Sequence, residues 1–81
     1  MTEQELCAKA MFVFAEYGVL DKIVLLHPSM DHAMHWIAFG LTTHDVNDNS
    51  PRWSVVFSRT TGEVTVVDRW TSKKGWVDIY L

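Results

Sequence analysis

The chain has 81 residues, 48% of them hydrophobic and 21% charged, with a formal net charge of -3 and an isoelectric point near 5.7. A chain this short makes one domain, residues 1–81, and buries about 60 to 65% of its unfolded surface, which excludes a second core. The composition excludes a disordered chain, and the mild acidity argues against a surface that tracks nucleic-acid phosphates, which needs clustered Lys and Arg.

Thr2 and Glu5 form an S/T-x-x-E capping box, so a helix starts at the beginning of the chain. Leu6, Cys7, Ala10, Met11, Val13, Phe14 and Tyr17 recur at helical spacing, while Glu3, Lys9 and Glu16 face water. Gly18 then supplies a left-handed cap. The run Ile23 to Leu26 reads as a short strand that Pro28 interrupts, and Ser29 to Met34 as a turn or a single helical turn. His35 to Leu41 alternates Ile37, Phe39 and Leu41 against Trp36, Ala38 and Gly40, a strand whose small residues admit a helix or another backbone at close range.

The segment TTHDVNDNSPR, Thr42 to Arg52, reads as a loop rich in Asx, Ser and Thr. The stretch WSVVFSRTTGEVTVVDRW that follows is a β-hairpin around a four-residue turn, Arg59 to Gly62. That turn pairs Phe57 with Val64, Val55 with Val66 and Trp53 with Asp68, placing these six on one mainly apolar face. Ser72 to Gly75, with the adjacent cations Lys73 and Lys74, makes a solvated turn, and Trp76 to Leu81 makes a final strand. The fold class is therefore α+β, an N-terminal helix packed on an antiparallel β-meander of four to five strands.

Catalytic and metal signatures are weak. His27, His32, His35 and His44, with Asp31 nearby, lack the spacing of a tetrahedral site. Asp45, Asn47 and Asn49 imitate the first ligands of a calcium loop, but Ser50 stands where the turn needs glycine and Val56 where a bidentate Glu belongs. Cys7 lies on the apolar stripe, as a packed small hydrophobe does, and the serines and carboxylates form no elbow or convergent pair. The reading is of a protein that is not an enzyme and needs no metal or cofactor. A lone cysteine, no secretory leader pattern and no apolar run of about 20 residues predict a soluble, cytoplasmic protein.

Aromatic placement carries the binding signal. Trp36, Trp53, Trp70, Trp76 and Tyr80 exceed what so small a core can hold, and Arg52, Arg59 and Arg69 flank them. Exposed aromatics beside arginines have the composition of interface hot spots; equally, they close the ends of a small sheet as cation-π pairs. The candidate binding residues are Trp53, Trp70, Arg52, Arg69, Trp76 and Tyr80.

With its leading helix, meander and TGEV hairpin, the chain resembles cystatin-like and NTF2-like small domains, including some immunity proteins of toxin systems. The likeness spans about a quarter of the chain and rests on turn chemistry. It implies either an interaction protein or a small-molecule site between helix and sheet walled by Phe14, Tyr17, Trp36 and Trp53. The residues themselves favour a protein-interaction module, an inhibitor, immunity-type protein or adaptor whose partner is another protein, with a homodimer through the C-terminal strand as one form of pairing. Neither nucleic acid nor a membrane is expected as a partner.

Overall fold

A computed structural model describes residues 1–48, 52–71 and 75–80, of which 47, 48, 71 and 75–80 by their backbone. Helix α1 (Glu3–Glu16) packs across an antiparallel sheet of β1 (Ile23–Ser29), β2 (His35–Thr42), β3 (Trp53–Ser58), β4 (Val64–Thr71) and β5 (Gly75–Tyr80), in that spatial order. The fold is α+β, with β1 and β5 at the two edges. The turn expected at Lys73 and Lys74 lies outside the described residues.

Both ends of α1 follow from local chemistry. The Thr2 hydroxyl accepts from the Glu5 amide and the Glu5 carboxylate accepts from the Thr2 amide, each at 3.1 Å. At the other end Gly18 adopts φ 71°, its amide bonding the Ala15 carbonyl and the Val19 amide the Phe14 carbonyl, both at 3.0 Å. This double bond is a Schellman motif, and it seats Val19 against Phe14 in the core.

Leu6, Ala10 and Phe14, one above another on α1, are fully buried against Ala38, Val55, Phe57 and Val67. The close approach expected at the small residues of β2 occurs at Gly40. A Cβ there would lie 3.0 Å from the Phe14 ring and 3.0 Å from the Ile23 side chain. The helix therefore covers Trp36, Ala38 and Gly40, while Ile37 and Phe39 lie half-buried on the opposite face.

Three expectations need correction. β1 runs through Pro28 to Ser29, because an edge strand tolerates a proline that an inner strand does not. Thr42 to Asp48 is not all loop, since a short helix α2 (Thr43–Asp48) occupies it. In the hairpin, the Ser58 amide bonds the Glu63 carbonyl and the Gly62 amide the Ser58 carbonyl, around the four-residue turn. Phe57 pairs with Val64, but the next pairs are Val56 with Val66, Val55 with Val67 and Trp53 with Arg69.

Thr65 is the extra residue of a β-bulge, its hydroxyl donating to the Val56 carbonyl at 3.2 Å. The bulge lets both Val64 and Val67 join the core and turns Arg69, not Asp68, to the helix side. The hairpin turn is held down by Arg59, whose amide bonds the Met34 carbonyl and whose guanidinium bonds the His32 carbonyl and lies over Trp36.

Two substitutions test this packing. Gly62 sits at φ 76°, so Gly62→Val lowers stability in chemical denaturation by about 1 to 2 kcal/mol; an unchanged midpoint contradicts the turn. Replacing a strand glycine by alanine ordinarily stabilises, but at Gly40 the buried Phe14 ring cannot yield, so Gly40→Ala destabilises by about 1 kcal/mol and Gly40→Val by about 2 to 3. A gain in stability for Gly40→Ala would show that the contact is slack.

Candidate functional site

Of the six residues singled out for binding, two, Arg52 and Arg69, converge on one buried carboxylate. Asp45, 1% exposed, is at the third position of α2 and completes a second capping box: its Oδ2 accepts from the Thr42 amide at 3.0 Å, and its amide donates to the Thr42 hydroxyl at 3.3 Å. Arg52 Nε lies 3.1 Å from Asp45 Oδ1, and Arg69 Nη1 lies 3.7 Å from Oδ2. The Arg69 guanidinium rests 4.8 Å over the Trp53 ring, which meets Phe14 edge-on at 6.3 Å.

The chemistry of this cluster is that of a joint. A buried carboxylate loses several kcal/mol of hydration, offset here by two cations and a backbone donor. In return it fixes the start of α2 and, through Arg52 and Arg69, the approach to β3 and the far part of β4. The Asp45 oxygens point inward to the arginines rather than outward to a cation. No group of three or more His, Cys, Asp or Glu side chains converges among the described residues.

Trp70 is half-buried on β4, its amide donating to the Arg52 carbonyl at 2.8 Å. Trp76 and Tyr80 belong to β5, where their backbones pair with Trp70 and Val67; their side chains lie outside the described residues. The walls suggested for a pocket between helix and sheet are packed instead. Phe14 is fully buried and occupies the space that Gly40 leaves, and Tyr17, Trp36 and Trp53 lean on the same core. Burial pushes the Cys7 thiol upward, and the nearby Glu3 charge adds to this, which disfavours a nucleophilic thiolate.

An accessible apolar surface occurs elsewhere, on α1 and β1. Phe12 is 72% exposed and Met11 44%, while Val24 and Leu25 on β1 are 58% and 51% exposed. Met11, Leu20, Ile23, Val24, Leu25 and Leu26 line an open hollow of about 230 Å³ between the helix and the edge strand. The sequence assigned Met11 to the inner stripe and did not single out Phe12. A signal was present: from Leu6 to Ala15 only Lys9 is polar, so the helix is apolar on more than one face, the pattern of a helix covered on both sides.

No protein-family model, curated protein or solved structure shows significant similarity to this chain. No helix among the described residues is long and apolar enough to cross a membrane.

The joint at Asp45 can be tested by stability. Asp45→Ala removes the buried carboxylate that Arg52 and Arg69 approach and takes the cap from α2, and lowers stability by about 2 to 4 kcal/mol in denaturant unfolding. Asp45→Asn keeps an acceptor and loses less. Equal stability of wild type and Asp45→Ala would show that the cluster contributes nothing to the fold.

Proposed function

We propose that the protein is a non-enzymatic interaction module, of the kind that serves as an inhibitor, immunity-type protein or adaptor, and that it binds another protein through the outer flank of α1 and the edge of β1. The observation that carries this reading is Phe12, a large ring left 72% exposed in mid-helix beside Met11. A ring in that position adds nothing to the core, whereas covering it with a partner yields about 1.5 to 3 kcal/mol. Val24 and Leu25 are exposed apolar side chains on the edge strand β1, whose outward backbone groups offer hydrogen bonds to an added strand.

The size of the hollow supports a protein partner. At about 230 Å³ it falls below the roughly 300 to 1,000 Å³ of a small-molecule pocket and suits a side chain. The acidic balance supports a partner other than nucleic acid, and the single cysteine fits a reducing, cytoplasmic setting. The arginine and tryptophan cluster supports the choice of surface, because Arg52, Arg69 and Trp53 are engaged with Asp45 and Phe14 inside the fold. Of the two sheet edges we favour β1 over β5, where pairing of C-terminal strands would form the alternative homodimer, because β1 joins its edge to exposed apolar side chains.

The test is capture from the native cell with tagged wild-type protein and tagged Phe12→Lys as baits, in the presence of untagged chain. Lysine at this exposed position faces Glu16 one turn on and preserves the helix. At least one chain retained by the wild type and reduced roughly tenfold or more on the variant is the expected result. Identical retention by both baits contradicts the assignment of the surface.

A further inference from the structure

We propose that the face of the sheet turned away from α1 is an interface with a second copy of this chain, packed sheet on sheet about a twofold axis that runs along the strands between β2 and β3. This concerns a different surface from the α1 flank and goes beyond the interaction-module reading. An antiparallel sheet that keeps one face in water alternates apolar and polar residues along each strand. That alternation is missing here. Ala38, Val55 and Val67 face α1, yet the neighbouring positions Ile37, Phe39, Val56 and Val66 are also large and apolar, and all four lie half-buried outside the helix-side core. Leu25, 51% exposed on β1, and Trp70, half-buried on β4, continue the same face to either side. Sheets bury an apolar face against a second layer, and α1 supplies that layer for the other side.

The register shows why a copy of this sheet fits as the second layer. His27, Phe39, Ser54 and Asp68 stand in one row across β1, β2, β3 and β4, and Asp78 of β5 is next in register. The row carries an imidazole at one end and acidic residues at the other, with a large ring beside a small residue in the middle. His27 is exposed and stacked on Phe39 with ring centroids 6.5 Å apart, while Ser54 is only 3% exposed. Rotation about the proposed axis reverses the row, so that β1 of one copy comes over β4 of the other and β2 over β3. Phe39 then lies over Ser54 of the other copy and His27 over its Asp68. In the next row Ile37 comes over Val56 and Ser29 over Val66. Ring over small residue, imidazole over carboxylate and aliphatic over aliphatic each occur twice by symmetry, which is the self-complementarity an isologous interface requires.

The area is that of a reversible dimer. Five strands about 4.8 Å apart and about 20 Å long cover on the order of 500 Å² per copy in flat projection. Two such faces reach the ~1,000 Å² at which a specific interface begins, and the standing side chains add to it. Aligned sheets pack about 10 Å apart with their strands about 30° from parallel, a spacing that side chains from the two faces fill together.

Sedimentation equilibrium of the full chain, with circular dichroism showing that each variant keeps the native fold, tests this. The wild type approaches twice its 9.3 kDa monomer mass as its concentration rises to on the order of 1 mM. Val56→Lys places a charge at the centre of the face and weakens dimerisation at least roughly tenfold. Should that variant fail to fold, the exposed His27 decides: His27→Glu sets like charges against each other and weakens the dimer roughly threefold or more, whereas His27→Lys fixes a cation there and keeps or strengthens it. Phe12→Lys, on the outer flank of α1, leaves the dimer unchanged, so failure of this interface is distinct from failure of capture through that flank. A wild type that stays monomeric throughout overturns the second copy. A dimer that folded Val56→Lys leaves intact, that His27→Glu and His27→Lys alter equally, or that Phe12→Lys abolishes overturns the assigned face.

Discussion

The contact of Phe14 with Gly40 is the constraint on which the remainder of the molecule depends. A helix lies on a sheet at a distance set by the side chains between them, and here one ring occupies the place of an absent Cβ. That single omission lets α1 settle low enough for Leu6, Ala10 and Phe14 to be buried together with Ala38 and Val55. In an 81-residue chain, where each large buried side chain contributes about 1.5 to 3 kcal/mol to a small total, such a contact decides whether the fold is stable. The Schellman turn at Gly18 depends on the same contact, since it folds Val19 back onto Phe14 and sends the chain into β1 beside the helix.

The polar joint at the far end of the sheet solves a different problem. The connection between β2 and β3 includes a short helix with too few turns to be stable alone. Asp45 holds it by capping its first turn and by engaging Arg52 and Arg69, which belong to the approach to β3 and to β4. Arg69 in turn lies over Trp53, and Trp53 against Phe14, so the joint and the core form one connected set of contacts. Arginine beside tryptophan here serves internal cohesion, in a composition that also characterises interfaces.

The sequence made the fold class legible because its strongest signals are local. The Thr2 and Glu5 box, the glycine at position 18, the TTG turn and the small residues of β2 each act within a few positions, and each appears in the structure in the role its chemistry implies. Signals that act across strands were not legible. The bulge at Thr65 shifts Val67 and Arg69 to the helix side, and nothing in the VTVVDR stretch marks it, since Val66 and Val67 suit the core face equally well. The Asp45 box was present as Thr42-x-x-Asp45, the shorter-acid form of the box that opens α1, but the surrounding Asx residues gave it the composition of a loop. Arg52 and Arg69 proved to meet at Asp45 for the same reason: type and proximity in sequence are visible, while the partner that engages them comes from another element.

What distinguishes Met11 and Phe12 is that, among the described residues, they stay exposed on α1 while Leu6, Ala10 and Phe14 meet the sheet. The most direct measurement is a nuclear Overhauser experiment on the isotope-labelled chain that reads the approach of the Gly40 α protons to the Phe14 ring. Strong contacts between them, with the Gly40 α protons shifted by the ring current, are predicted. Absence of these contacts in the folded chain would contradict the claim that this ring sets the height of the helix on the sheet.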